Sequence, residues 1–80
     1  MKQNISEIIN EVLTDESIKN DIDKLVTIGS NSLLALTFVT AIEEAYEIEI
    51  ENDMINHLFF SDINYIQEVI NKSKEICNNN

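Results

Sequence analysis

The sequence predicts an all-α fold: a small four-helix bundle of three longer helices and a short third helix, with a long loop between helices one and two. Three observations predict it. The chain has 80 residues, no proline and one glycine, so helix breakers and β-turn chemistry are scarce. Apolar residues recur at helical spacing in three separate stretches. The apolar fraction of 44% is ordinary for a globular domain and argues against wholesale disorder. This length implies one domain over residues 1–80, with a thin core and little room for an enclosed active site.

The first helix is expected over Ile5–Leu13. Ile5, Ile8, Ile9, Val12 and Leu13 form a stripe of helical period. Asn4 can cap it, with Glu7 reaching back as in a capping box. Thr14–Asn31 reads as a long polar connection, pinned across the bundle by Ile18, Ile22, Leu25, Val26 and Ile28, with room for a short turn of helix. Loops of this length are often functional. The second helix is expected over Ser32–Tyr46. Ala35, Phe38, Val39, Ile42, Ala45 and Tyr46 share its inner face at about 100° per residue. Leu33, Leu36, Thr37, Thr40, Glu43 and Glu44 lie opposite, with Leu34 at the border, so the outer face begins apolar and ends acidic.

Glu47–Glu51 alternates like a strand but has no second strand to pair with, so it reads as an extended linker with Ile48 and Ile50 inward. Asn52–Phe60 is expected to hold the short third helix, anchored by Met54, Ile55, Leu58 and Phe59 or Phe60. The last helix is expected over Asp62–Lys74, capped by Ser61, with Ile63, Ile66, Val69 and Ile70 as its stripe. Residues 75–80 are expected to fray, leaving about 5–74 structured.

The net charge of −10, from 15 acids and 5 bases, repels nucleic acid and anionic membrane surfaces. It favours protein partners with basic docking patches, or serves solubility alone. Cys77 is the single cysteine, so an intrachain disulfide and a cysteine-based metal site are excluded. No apolar run approaches the roughly 18 residues of a membrane span. Met1–Asn4 lacks the apolar core of a signal peptide. The expectation is a soluble, cytoplasmic monomer.

Catalytic sets are missing. His57 and Cys77 lie in separate segments with no local signature of a nucleophile pair. Asp15, Asp21, Asp23, Asn52 and Asp53 do not follow the EF-hand spacing. Glu43 and Glu44 are adjacent on a helix and diverge, which suits acid–base work poorly. The expectation is a protein that is not an enzyme and holds no metal.

What remains is Ile28-Gly29-Ser30-Asn31-Ser32-Leu33 at the start of the second helix. Ser30, Asn31 and Ser32 are all good N-cap types, and Gly29 supplies a turn, so capping alone explains the tripeptide. A serine hydroxyl here can equally be a handle for a phosphate-linked group, because a helix N-terminus offers free N–H groups and a positive dipole end.

Leu25-Val26-Thr27-Ile28-Gly29-Ser30-Asn31-Ser32-Leu33 resembles the attachment motif of acyl and peptidyl carrier proteins. The resemblance continues through Ala41–Ile50, similar to the end of the family's second helix, and through Phe60–Ile66, similar to the lead-in to its last helix. It implies that Ser32 carries a 4′-phosphopantetheine arm transferred from coenzyme A, whose thiol, not Cys77, bears acyl, aminoacyl or peptidyl cargo as a thioester. It implies a phosphopantetheinyl transferase, an acyl- or amino-acid-activating ligase or adenylation enzyme, and downstream condensing or tailoring enzymes as partners. They would dock on Asn31, Leu33, Leu34, Leu36, Thr37, Thr40, Glu43 and Glu44. Two departures stand out. Asn31 replaces the aspartate usual in fatty-acid carriers, and Leu34 and Thr37 stand where those carriers show acids. They point to a free-standing carrier of nonribosomal peptide or polyketide biosynthesis rather than a housekeeping fatty-acid carrier. Phe38, Ile42, Tyr46 and Ile55 could shelter an acyl chain or be plain core. A competing reading from another class is a small acidic helical adaptor that binds one protein through Leu33, Leu34 and Leu36.

Overall fold

The computed structural model describes residues 4–78, with side chains described through residue 75. It contains four α-helices: α1 (Ile5–Val12), α2 (Asp21–Gly29), α3 (Ser32–Tyr46) and α4 (Ile63–Asn78). A single turn of 3₁₀-helix spans Asn52–Met54, and no strand occurs among the described residues. The all-helical class holds, but two of the four helices differ from those expected.

α1 starts as its sequence dictates: the Asn4 side chain accepts from the Glu7 N–H at 2.8 Å. Ile5, Ile8 and Ile9 are buried, and Val12 and Leu13 pack against the core.

The expected long loop is interrupted by α2, a helix of nine residues. Asn20 caps it by accepting from the Ile22 N–H at 2.7 Å. Asp21 and Asp23 sit in its first turn, where carboxylates complement the helix dipole. Leu25 and Ile28 are fully buried, whereas Ile22 and Val26 stand 38% and 50% exposed, so only part of this segment pins to the core. Ser6 Oγ donates to Asp21 Oδ2 at 2.6 Å, and Lys24 Nζ to Asn10 Oδ1, joining α2 to α1.

Gly29 is not a turn glycine. It is the last residue of α2, and no glycine has a positive φ. A Cβ built there would lie 2.5 Å from Phe60 Cβ. The glycine therefore allows α2 to approach Phe60 closely. The chain then turns by 116° between α2 and α3.

α3 runs over the expected residues, with Phe38, Val39 and Ile42 buried and Ala35, Ala45 and Tyr46 half-buried. It ends at Glu47, held in the left-handed region at φ 54°. Ile48 and Ile50 then pack inward as expected.

The expected third helix is reduced to the 3₁₀ turn and the hydrogen-bonded turns after it, which include Phe59 N–H to Asn56 O and Ser61 N–H to Leu58 O. Phe59 is buried, Met54, Ile55 and Phe60 are half-buried, but Leu58 is 40% exposed and anchors nothing. Apolar residues in so short a run secure the segment without a continuous helical ladder. The Tyr65 hydroxyl donates to Met54 O at 3.2 Å and accepts from Asn56 Nδ2 at 3.0 Å, fastening it to α4.

α4 is capped one residue later than expected. Asp62 Oδ1 accepts from the Asn64 N–H at 2.9 Å and the Tyr65 N–H at 3.4 Å, while the Ser61 hydroxyl donates to His57 O instead. The helix runs to Asn78, beyond the expected Lys74. Ile66, Val69, Ile70 and Ser73 are buried along it. The expected fraying of Asn79 and Asn80 falls outside the described residues.

Candidate functional site

The three residues that competed as caps have three separate jobs. Ser30 closes α2: its N–H bonds to Val26 O and its hydroxyl donates to Thr27 O at 2.8 Å. Asn31 is the N-cap of α3, with Oδ1 accepting from the Leu33 N–H at 3.0 Å and the Leu34 N–H at 3.2 Å. Ser32 is the first residue of α3 and is exposed, and no hydrogen bond engages its hydroxyl among the described residues. Capping therefore accounts for Asn31 and leaves Ser32 without a structural duty. The first turn of α3 contains no acid, so nothing offsets the positive end of its dipole there. Two of its N–H donors already serve Asn31, so the anion site is poorer in free donors than the sequence suggests.

A rigid base lies behind this segment. All three phenylalanines cluster: Phe59 and Phe60 meet edge-on with ring centroids 5.3 Å apart, and Phe38 lies 6.0 Å from Phe59 and 6.4 Å from Phe60. Such pairs add to the burial energy of the rings. Because Phe60 also seats Gly29, the cluster ties the end of α2, the middle of α3 and the 56–61 turns together.

The expected docking residues separate into two groups. Leu33 and Leu36 are 72% and 65% exposed. Thr37, Thr40 and Glu44 are exposed too, and Thr37 Oγ1 donates to Leu33 O at 2.9 Å. Leu36, Thr37, Thr40, Ala41 and Glu44 line a shallow hollow of about 360 Å³ along α3. Leu34 and Glu43 do not belong to this face. Leu34 packs against the core. Glu43 is half-buried, and its Oε2 accepts from the Ile50 N–H at 2.9 Å, holding the linker after α3. Of the residues named as a possible acyl shelter, Phe38 and Ile42 are fully buried and Tyr46 and Ile55 pack at the core edge.

Sequence reasoning missed a second hollow. Val26, Gly29, Ser30, His57, Phe60 and Ser61 line an open groove of about 420 Å³ between the end of α2 and the 56–61 turns. The signal that could have revealed it is Gly29, read as a close approach rather than a turn.

The charge around these features is one-sided. Residues 25–71 contain no lysine or arginine and eight carboxylates. His57 is the one histidine in that stretch. Among the described residues, no three or more His, Cys, Asp or Glu side chains converge as a metal site would require. No single described helix is long and apolar enough to cross a membrane.

Comparisons with models of known protein families, with curated proteins and with solved structures find no significant match to this chain.

Proposed function

We propose that this chain is a carrier domain: its Ser32 hydroxyl accepts a 4′-phosphopantetheine arm from coenzyme A, and it presents acyl, aminoacyl or peptidyl cargo to partner enzymes. The observation that carries this reading is Ser32 itself, exposed, unbonded and relieved of capping by Asn31. Attachment requires an accessible oxygen nucleophile on a fixed support, and the residues present fit such a group. In the transfer, Ser32 Oγ forms a bond to phosphorus and loses its proton, and the nucleotide part of coenzyme A leaves as its pyrophosphate linkage breaks. The arm's terminal thiol supplies the thioester chemistry.

The chain's own residues do the positioning. Asn31 holds the first turn of α3, and the Phe38–Phe59–Phe60 cluster with Gly29 fixes the direction in which Ser32 is presented. Leu33, Leu36, Thr37, Thr40 and Glu44 offer partners a surface that is apolar near the serine and acidic further along. This face suits a phosphopantetheinyl transferase, an activating ligase or adenylation enzyme, and later condensing or tailoring enzymes. Thr37, in place of a fatty-acid carrier's acid, favours a nonribosomal peptide or polyketide pathway. Leu34 no longer adds to that argument, since it packs inward. Incubation with a phosphopantetheinyl transferase and coenzyme A should add the mass of one arm, and Ser32→Ala should add none. Wild-type protein left unmodified by several transferases would overturn the reading.

The exposed leucines favour a second reading, an acidic adaptor that binds one protein through Leu33 and Leu36. There, Leu36→Asp abolishes binding and Ser32→Ala leaves it intact.

A further inference from the structure

We infer that the exit of α3 is a two-state joint: latched, with the Glu43 carboxylate holding the Ile50 N–H, and released, with α3 running on through Glu49. The joint is independent of whether Ser32 carries an arm. Its signature begins at Glu47, which ends α3 at φ 54° and ψ 51° and is the one non-glycine residue with a positive φ among the described residues. Glycine usually takes this left-handed position, because a Cβ there crowds the backbone. Glutamate neither prefers that conformation nor breaks a helix, so the residue at the stop does not itself impose the stop.

Glu43 and the two isoleucines impose it. The Glu43 backbone oxygen accepts from the Glu47 N–H and, at 3.0 Å, from the Ile48 N–H. Its Oε2 accepts from the Ile50 N–H at 2.9 Å. Ile48 and Ile50 are both buried, while Glu47 and Glu49 are exposed. That alternation needs extended backbone. On a continued helix Ile48 and Ile50 lie about 200° apart, and only one of them faces the core. The latched state thus sets a strained glutamate against a second buried isoleucine, and the carboxylate bond weighs on the latched side. Without that bond the two states lie close in free energy.

The states differ in reach. Residues 48–50 span about 3.3 Å each when extended and about 1.5 Å each in a helix, so release shortens the path by about 5 Å. The segment that follows has little slack. The Tyr65 hydroxyl holds Met54 O and Asn56 Nδ2 to α4, and Phe59 and Phe60 sit in the ring cluster. The pull therefore arrives at Phe60, which seats Gly29 at the end of α2. Glu43 lies about 16 Å along α3 from Ser32, yet the joint couples it to the α2–α3 turn through residues 50–60.

The test compares the unmodified wild-type protein with its variants by NMR, reading backbone Cα shifts and amide exchange. Glu43→Ala should speed exchange of the Ile50 amide about tenfold or more. It should also move the Cα shifts of Glu47, Ile48 and Glu49 toward helical values and displace the Gly29 and Phe60 resonances, while the Ile9 and Phe38 amides exchange as before. Glu43→Gln keeps an acceptor oxygen and should stay near wild type. Glu47→Gly removes the strain of the left-handed stop and should slow Ile50 exchange about threefold or more. Added to Glu43→Ala, it should restore wild-type shifts at 48–50. Glu47→Gly alone carries the test where Glu43→Ala fails to fold. Several results would overturn the inference: Ile50 exchange unchanged in Glu43→Ala, or raised equally at Ile9 and Phe38; shifts at 47–49 that turn to coil rather than helix; undisturbed Gly29 and Phe60; or a Glu47→Gly variant with no effect on Ile50.

Discussion

Ser32 and Ser73 stand in sharp contrast. Of the six serines, Ser6, Ser17, Ser30 and Ser61 donate hydrogen bonds to Asp21, Asp15, Thr27 and His57. The hydroxyls of Ser32 and Ser73 hold none among the described residues. Ser32 lies at the start of α3 in water, which satisfies its hydroxyl and leaves it available for chemistry. Ser73 is 1% exposed on α4, continuing the Ile66–Val69–Ile70 stripe, and its oxygen has no hydrogen-bond partner among the described residues. A desolvated polar group left unpaired costs about 1–3 kcal/mol, whereas a hydrated one costs nothing. The unpaired state thus means availability in one place and instability in the other.

The largest expected effect is all-or-none. Ser32→Ala should abolish arm addition, read by intact mass, yet change unfolding free energy by no more than about 0.5 kcal/mol, as for a surface site. A large loss of stability would show that Ser32 has a structural duty and break the contrast. Next comes the support beneath it. Gly29→Ala should destabilise by about 1–2 kcal/mol in chemical denaturation, because overpacking against Phe60 outweighs the better helix propensity of alanine. Ser73→Ala should stabilise by about 1 kcal/mol and leave arm addition untouched. A destabilised Ser73→Ala would mean that the hydroxyl finds a partner in solution.

Asn31→Ala should lose about 1 kcal/mol as its cap bonds vanish, while Asn31→Asp should keep them. The smallest effect lies at Asp15, whose carboxyl is held below the usual carboxylate range by the Ser17 hydroxyl and then by the Ser17 N–H. A lowered folded-state value stabilises above the unfolded value and is lost as pH falls through the folded one. Ser17→Ala should therefore move that loss to higher pH, seen in a carboxyl NMR titration as protonation of Asp15 at higher pH than in the wild type.

α3 was legible because its inner stripe is long and strictly periodic. α2 was not: Leu25 and Ile28 face the core while Ile22 and Val26 face water, so its pattern blurs over only nine residues. Gly29 misled because its reason is Phe60, a contact between distant parts of the chain. Ser61 and Asp62 are neighbouring cap types, and only the geometry chooses Asp62. In the candidate site, exposure of Ser32, Leu33, Leu36, Thr37, Thr40 and Glu44 follows helical spacing. Glu43 departs because its carboxylate folds back onto the Ile50 N–H, beyond the helix end that the spacing describes.

The cation-free stretch also sets how this protein must be handled. A protease that cuts after lysine or arginine finds no site between Lys24 and Lys72, so Ser32, the hollow along α3 and the groove at His57 leave the digest on one fragment, Leu25–Lys72. Any mass added at Ser32 will be carried by that fragment. Amine-directed crosslinkers, in turn, have no lysine on it short of its C-terminal end, so a docked partner is captured through the carboxylates.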